Sequence, residues 1–199
     1  MSGGELSYSV LGGGDLEAAL DDLARLRIAV FADWPYLYDG DLGYERRYLG
    51  AFAASPGAVI VAARAPDGQM VGAATAAPLC DHADEFAEPF ARAGLDPRDY
   101  FYLAESVLLP AWRGRGAGRI FFEMREQAGQ AQGFARAVFA SVIRPADHPA
   151  RPDGYVSLDQ FWRRLGYRPV EGLKANFSWR DKGEAGESVK ALQVWGRDF

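Results

Sequence analysis

Apolar residues recur at helical spacing in two segments near the start of the chain. The first stripe consists of Leu16, Leu20, Leu23, Leu26 and Val30, and the second of Tyr44, Tyr48 and Phe52. A repeat of three to four residues places such side chains on one helix face. The pattern therefore predicts one helix ending near Phe31 and a second helix on which Glu45 points outward. Before the first helix, Gly12–Gly14 is interpreted as a flexible turn with Asp15 as the N-cap.

β-rich runs fill most of the remaining chain. They are Leu6–Leu11, Ala58–Arg64, Met70–Ala77, Tyr102–Leu109, Ala135–Ile143, Tyr167–Val170, Leu173–Trp179 and Ser188–Trp195. Ala65–Gly68 is a turn signal, which predicts an antiparallel hairpin. The acidic, alanine-rich segment Pro78–Asp99 predicts an insertion with a short helix, and further helices are expected after Gly118 and over Leu158–Leu165. The resulting order, β-α-α-β-β-insertion-β-α-β-α-β-β, predicts an α/β fold.

Composition narrows the class of protein. The chain has 199 residues, of which 49% are hydrophobic, which favours a single domain over residues 1–199. A net charge of −5 argues against a nucleic-acid partner. The one cysteine and two histidines show no metal-site spacing, the N-terminus lacks signal-peptide features, and no apolar run approaches the ~20 residues of a membrane span. We expect a cytoplasmic protein with no metal and no membrane partner, and a homodimer is left open.

The central segment combines a strand, a basic glycine turn and an amphipathic helix. Tyr102–Leu109 is the strand, and Arg113-Gly114-Arg115-Gly116-Ala117-Gly118 is the turn. A helix N-terminus offers free backbone N–H groups and a partial positive charge, and glycines let an anion approach them closely. No Lys-Ser or Lys-Thr follows, which excludes a Walker A loop, and Arg119 stands where the dinucleotide fingerprint needs its third glycine. The turn therefore predicts a phosphate site of another kind.

This turn resembles the acyl-coenzyme A pyrophosphate loop of the GNAT acyltransferases, and Val107–Trp112 resembles the strand that leads into it. The resemblance implies a mixed, twisted sheet of about six or seven strands, with helices on both faces and a splayed central strand. It also implies acetyl-CoA or another acyl-coenzyme A as cosubstrate. Phe161–Tyr167 resembles a second family element, a late helix ending in a glycine-aromatic pair.

The resemblance also assigns cofactor-binding residues. The backbone N–H groups of Arg113, Gly114, Arg115, Gly116, Ala117 and Gly118 are expected to hold the pyrophosphate. The main chain of Val107, Leu108 and Leu109 is expected to pair with the pantetheine arm. A backbone N–H near Leu108 would face the thioester oxygen, and one such donor contributes roughly 3 kcal/mol to transition-state stabilisation.

Acyl transfer to an amine calls for a proton acceptor, because an amine with a pKa near 10 is only about 0.1% neutral at pH 7. Glu105 is the first candidate, since it interrupts an apolar strand beside the cofactor segment, where burial would raise its pKa. The alternative is a glutamate facing solvent at a strand end. His148, beside Asp147, is the second candidate; an exposed loop histidine is its alternative.

The general acid departs from the family pattern. Many relatives place a tyrosine on the late helix, and alignment on Gly166-Tyr167 puts Trp162 there. An indole N–H is not a usable acid. Two alternatives stay open: Tyr155 substitutes as the acid, or the sulfur leaves as thiolate without assistance.

Two unusual loops are candidates for the acceptor site. The loop Trp34–Asp41 carries Trp34, Tyr36, Tyr38 and Asp39, and the proline-rich loop Arg144–Tyr155 begins with Arg144. Aromatic walls with carboxylates suit a cationic amine, whereas Arg144 suits an acceptor bearing a carboxylate. The alternative is a loop that its aromatic residues anchor to the core.

The sequence thus predicts an acyl-CoA-dependent N-acyltransferase, with acetyl the expected acyl group and an amine of a small molecule or peptide the acceptor. The alternatives are a non-catalytic acyl-CoA sensor and a glycine-rich domain that binds another phosphate ligand.

Overall fold

A seven-stranded mixed sheet forms the centre of the computed structural model, which describes residues 4–11, 14–82 and 84–199. The strands are β1 (Ser7–Leu11), β2 (Val59–Arg64), β3 (Met70–Pro78), β4 (Tyr100–Leu108), β5 (Arg136–Val142), β6 (Arg168–Trp179) and β7 (Ser188–Asp198). The helices are α1 (Gly14–Phe31), α2 (Leu42–Ala53), α3 (Asp84–Arg92), α4 (Ala117–Ala131) and α5 (Asp159–Arg164). Among the described helices, none is long and apolar enough to cross a membrane.

The strand order is β1-β2-β3-β4-β5-β7-β6, and each neighbouring pair is antiparallel except β4 and β5. The predicted element order and the mixed sheet are confirmed. One difference concerns β6: the sequence predicted two strands there, Tyr167–Val170 and Leu173–Trp179, and the structure has one. The chain keeps to a single strand there because Gly172, with φ 72°, accommodates an irregular stretch in the pairing with β7. The predicted turn at Gly12 and Gly13 lies outside the described residues.

Helices cover both faces of the sheet, as expected. Because side chains alternate along a strand, Val61 of β2 packs with Phe121 of α4, while neighbouring Ile60 packs with Leu23 of α1 and Leu49 of α2. The apolar stripes predicted for the first two helices therefore form one core layer. The other layer combines aliphatic residues with aromatic residues of α4, β4 and β5.

β4 and β5 separate partway along their length. They pair only at Tyr100–Tyr102, whereas β5 continues alongside β7 as far as Val142. A bulge on β4 marks the separation: three residues of β3 (Thr75 to Ala77) oppose four of β4 (Tyr102 to Glu105). A bulge bends its strand and increases the local twist. The splayed central strand is thus confirmed, and a gap opens beside the C-terminal half of β4.

A buried arginine holds the backbone at this bulge. Arg125 of α4 donates to the carbonyl oxygens of Thr75 (3.1 Å) and Glu105 (2.9 Å) and to the hydroxyl of Ser106 (2.8 Å). Burial lowers the pKa of Arg125 to about 10, so the guanidinium stays charged at neutral pH. These bonds fix the position of Glu105 on β4.

Close packing of α4 on β4 can be tested at Gly129. A Cβ added there would meet the buried ring of Phe101 at 2.7 Å, so Gly129→Ala should destabilise the protein by about 1–2 kcal/mol despite alanine's helix propensity. The matched control is Gly50→Ala in α2, where a Cβ meets nothing within 4 Å; it should stabilise by up to about 1 kcal/mol. Urea unfolding measures both. Equal stabilisation by the two substitutions would contradict this packing.

Candidate active site

The glycine turn links the end of β4 to the start of α4. Gly114 and Gly116 have φ of 77° and 86°, and Gly116 is the N-cap of α4. Only glycine adopts such angles without strain, which explains its use at both positions. The turn thereby curls its backbone around the helix N-terminus.

The inside of this turn is open and lined by amides. None of the described residues accepts a hydrogen bond from the backbone N–H of Gly114, Arg115 or Gly116. The N–H of Ala117 is among the first of α4, which have no partner within a helix. A Cβ added to Gly114 or Gly116 would meet nothing within 4 Å. The residues present therefore fit a pyrophosphate group.

Two arginines are anchored beside the turn. Arg113 donates from Nε to the carbonyl oxygen of Leu108 (3.0 Å). Arg115 lies over the ring of Trp112, 4.9 Å from its centroid, and donates to the carbonyl oxygen of Ala111 (3.3 Å). Both side chains are exposed, so their positive charge is available to an anion in the turn.

The gap beside β4 presents main-chain donors. The N–H of Leu109 bonds to the carbonyl oxygen of Val71 in β3 (2.9 Å). Because backbone groups alternate along a strand, the N–H of Leu108 points the other way, into the gap. Val107 shares the orientation of Leu109, and its side chain is buried against α1 and α2. Of the three residues predicted to pair with the pantetheine arm, Leu108 is therefore the one whose N–H faces the gap.

A cavity of about 680 Å³ opens on the α1–α2 side of the sheet, next to the gap. Its walls include Ala104 and Glu105 of β4 and Ala140 of β5, the strands that separate. The aromatic members of its lining are Phe31, Tyr36, Tyr38, Tyr44, Tyr48, Phe86, Tyr102, Phe177 and Trp179. The cavity and the glycine turn thus lie at opposite ends of the same stretch of β4.

Glu105 has three donors around its carboxylate. Arg27 forms an ion pair with Oε1, the Tyr48 hydroxyl donates to Oε1 (3.1 Å), and the Thr75 hydroxyl donates to Oε2 (3.2 Å). The side chain is 14% exposed and lines the cavity. Glu105 therefore faces the cavity with its carboxylate surrounded by three donors. Its nearby cation was not expected from the sequence.

Glu45 corrects one prediction directly. The sequence placed it on the outer face of α2, but its side chain is completely buried and pairs with Nε of Arg27. The spacing contains the signal that was missed: Glu45 precedes Leu49 by four residues and Phe52 by seven, so it lies on the apolar face. Arg27 follows Leu23 by four residues and shares the buried face of α1 in the same way.

The predicted acceptor loop contributes four residues to the cavity: Tyr36, Tyr38, Asp39 and Asp41. Burial raises the pKa of Tyr36 to about 12. Burial is the main cause that raises the pKa of Tyr38 above its usual range, and the charge of nearby Glu45 adds to it. Asp39 pairs with Arg180 (2.7 Å). The loop forms a cavity wall and is also anchored, since the Tyr36 ring packs 4.5 Å from that of Phe31.

Arg144 has a different role from the predicted binding of an acceptor carboxylate. Its guanidinium makes a two-point ion pair with Asp181 (2.6 and 2.9 Å) and donates to the carbonyl oxygens of Pro35 (2.8 Å) and Tyr36 (2.6 Å). Because these bonds occupy Nε and both terminal nitrogens, the side chain fastens the acceptor loop to the segment after β6.

Trp34, His148 and Tyr155 lie together, but outside the cavity lining. The Trp34 ring is 5.1 Å from that of His148 and 5.9 Å from that of Tyr155. Nδ1 of His148 accepts a bond from the N–H of Ala150 (3.1 Å), so in the neutral ring Nε2 carries the proton. The imidazole thus presents a donor rather than a base. Burial raises the pKa of Tyr155, which makes it a weaker acid.

Trp162, at the position where many relatives have a tyrosine, is partly buried and packs against the core. Its ring packs 5.0 Å from Phe139 and 5.1 Å from Trp195. The late helix α5 therefore contributes packing here and no acid group.

Solved structures of N-acetyltransferases share this fold. A GCN5-related N-acetyltransferase from Kribbella flavida has a TM-score of 0.58 at 18% identity, with 98% of each chain covered. Ribosomal-protein-alanine N-acetyltransferase from Brucella melitensis has a TM-score of 0.62 at 14% identity, covering 96% of this chain and 99% of that one. The protein yncA from Salmonella typhimurium, solved with its cofactor acetyl-CoA, has a TM-score of 0.60 at 11% identity over 98% and 94% of the chains.

No protein-family model matches the sequence, and no curated protein matches it either. The structural likeness, together with the splayed sheet, shows that the chain has the GNAT acetyltransferase fold.

Coupling within the buried ion pairs can be measured by a double-mutant cycle. Arg27→Met leaves two buried carboxylates without their cation and should destabilise the protein by about 3 kcal/mol. Adding Glu45→Gln should recover part of this loss, because one unpaired charge is removed. Urea unfolding of the single and double variants gives the coupling energy. Additive effects would contradict a shared network.

The turn can be tested by paired glycine substitutions. Gly116→Leu should weaken coenzyme A binding at least about tenfold, because a side chain would occupy the open centre of the turn. Gly68→Leu in the β2–β3 turn is the control, since Gly68 has the same φ of 86° and the same open surroundings. Calorimetric titration with coenzyme A measures both. Equal affinity in the two variants would remove the turn from the binding site.

Proposed function

We propose that the chain is an acyl-CoA-dependent N-acyltransferase that acylates an amine. The observation that carries this proposal is the continuous path along β4, from the open amides of the glycine turn, past the N–H of Leu108, to Glu105 in the cavity. Donor and acceptor can approach this path from its two ends. Acetyl is the proposed acyl group, in keeping with the acetyl-CoA in the yncA structure.

The donor end is formed by main-chain groups. The amides of Gly114–Ala117 would hold the pyrophosphate, with Arg113 and Arg115 contributing positive charge. When bound, acyl-CoA supplies a thioester whose carbonyl carbon is open to nucleophilic attack. The N–H of Leu108 would donate to the thioester oxygen as negative charge develops there.

Glu105 is the proposed general base, which accepts a proton from the acceptor amine. The amine nitrogen forms the new C–N bond as the C–S bond breaks, and Glu105 would take the proton that the nitrogen loses, directly or through a water molecule. The sulfur leaves with the electron pair of the broken bond. A thiol pKa near 8.5 makes thiolate a fair leaving group, so it can take its proton from solvent. This route requires no tyrosine at position 162.

The cavity supports a cationic acceptor. Six carboxylates line it, against two arginines, and the rest of the polar lining is neutral. Such a surface attracts an ammonium group and repels a carboxylate. We therefore assign the acceptor to the amines of small molecules or peptides that carry no negative charge near the reacting nitrogen.

A second candidate function is a non-catalytic acyl-CoA sensor. The ion pair between Arg27 and Glu105 favours it, because a carboxylate stabilised by a guanidinium is a weaker base. An amine panel separates the two functions by release of free thiol. Tight coenzyme A binding without thiol release from any amine would favour the sensor.

The role of Glu105 is tested by Glu105→Gln. Turnover should fall by about 10²–10⁴-fold while coenzyme A affinity is unchanged, because the amide keeps the shape but cannot accept the proton. Glu171→Gln, at an exposed position of β6, is the control and should retain full turnover. Thiol release measures the rate and calorimetry the affinity. Wild-type turnover of the Glu105 variant at every pH would exclude it as the proton acceptor.

A further inference from the structure

The insertion between β3 and β4 contributes an aromatic wall to the cavity. Its helix α3 carries Phe86, whose ring meets that of Tyr102 on β4 edge to face (4.8 Å between centroids) and that of Phe177 on β6 in the same way (5.5 Å). All three rings belong to the cavity lining. Aromatic rings prefer such edge-to-face contacts. The insertion therefore shapes the cavity, although it takes no part in the proposed coenzyme A site or in proton transfer.

The aromatic lining continues along β6. Phe177 and Trp179 are two residues apart, so their side chains lie on the same face of the sheet. The Trp179 ring is 5.9 Å from that of Tyr36, and its Nε1 donates to the carbonyl oxygen of Tyr36 (3.1 Å), which also accepts from Arg144 (2.6 Å). Because these bonds hold the rings in place, this side of the cavity is formed before any ligand binds.

Small side chains leave the space between these rings open. Ala104 follows Tyr102 by two positions on β4, and Ala140 lies between Val138 and Val142 on one face of β5. Both alanines line the cavity, whose volume is about 680 Å³. Binding sites of this size hold drug-sized ligands. The cavity therefore has room for a ring system as well as an amine.

The open space separates two apolar clusters of the core. Phe31 belongs to one cluster and Phe86 to the other, and Ala104 packs against both. Protein interiors are normally close-packed, so a space between two apolar clusters suits a ligand with an apolar body. Glu105, the proposed general base, lies at most about 10 Å along β4 from Tyr102. An amine beside Glu105 can therefore carry a ring that reaches the aromatic wall.

Building on the proposed function, we infer that the acceptor is an arylalkylamine, a primary amine joined by a short aliphatic chain to an aromatic ring system. The amine lies beside Glu105, and the ring lies over Ala104 and Ala140, against the aromatic wall. The acidic groups of the lining disfavour a carboxylate on the acceptor. The insertion that carries α3 thereby selects the acceptor.

The acceptor class is measured with 2-phenylethylamine, 2-cyclohexylethylamine, butylamine and phenylalanine. Thiol release with saturating acetyl-CoA gives kcat/KM for each, corrected for the fraction of neutral amine at the assay pH. 2-Phenylethylamine should exceed butylamine at least about tenfold, because its ring buries more apolar surface, and 2-cyclohexylethylamine about threefold, because a saturated ring makes no edge-to-face contacts. Phenylalanine should be the poorest acceptor. Equal values for 2-phenylethylamine and either of the other two amines without a carboxylate would overturn the inference.

The variants Ala140→Leu and Phe177→Leu locate the ring. The first fills the space over β5, and the second removes one ring of the wall but keeps an apolar side chain. Each should lower kcat/KM for 2-phenylethylamine about fivefold more than for butylamine. Ala191→Leu on β7, outside the cavity lining, is the matched control and should leave the ratio of the two amines unchanged. Melting temperature and coenzyme A affinity verify that each variant is folded, and an unchanged ratio in both cavity variants would contradict this position of the ring.

A different occupant of the same space is a bulky acyl chain that enters from the gap between β4 and β5. Acetyl-CoA and phenylacetyl-CoA, each with butylamine as acceptor, separate the two. Acetyl-CoA should be the better donor if the ring belongs to the acceptor. A preference for phenylacetyl-CoA that is lost in Ala140→Leu would overturn the inference.

Failure of the proposed function gives a different result. If no amine is acylated, that function is wrong, and calorimetric titration of the amines into the protein saturated with coenzyme A decides on the ligand class. Binding of 2-phenylethylamine at least about tenfold tighter than that of butylamine, with the difference lost in Ala140→Leu, would uphold the aromatic site. Equal binding of the two amines would reject it.

Discussion

The parting of β4 from β5 is the constraint on which the rest of this molecule depends. Once the bulge after Tyr102 has turned β4 away, its outer edge has backbone groups that no strand pairs. Such an edge is costly inside a protein unless something else satisfies it. Arg125 of α4 stabilises the bulge by donating to the carbonyl oxygens of Thr75 and Glu105. A buried side chain of the core therefore holds β4 in the position where it separates from β5.

The chemistry follows from what lies along that edge. At its end, Gly114 and Gly116 turn the chain so that free amides surround an open centre. At its start, Glu105 enters a cavity whose charge surplus suits a cation. A single strand thus sets the distance between the proposed site for an anionic donor and the proposed site for a cationic acceptor. Because Arg125 also fixes the backbone of Glu105, packing in the core controls the alignment of both sites.

The sequence predicts the helices, strands and turns well because each depends on residues that are close together in the chain. Apolar stripes, glycine turns and β-rich runs each depend on neighbouring residues, and the splayed strand followed from the resemblance of the turn. The role of a side chain was harder to predict from the sequence when its partner lies far away along the chain. Arg144 looked like a ligand-binding residue because its partner, Asp181, lies far along the chain. Glu45 and Arg27 are charged residues within apolar stripes, and that mismatch was the overlooked sign of a buried ion pair.

The central claim is that the edge of β4 and the glycine turn together hold acyl-CoA. Backbone amide chemical shifts report on it directly, since each N–H in question belongs to an identified residue. Titration with coenzyme A should shift the amide signals of Leu108 and of Gly114, Arg115, Gly116 and Ala117 together, with one shared affinity. Saturation with coenzyme A that leaves the Leu108 signal in place, or shifts only signals remote from the turn, would contradict the account.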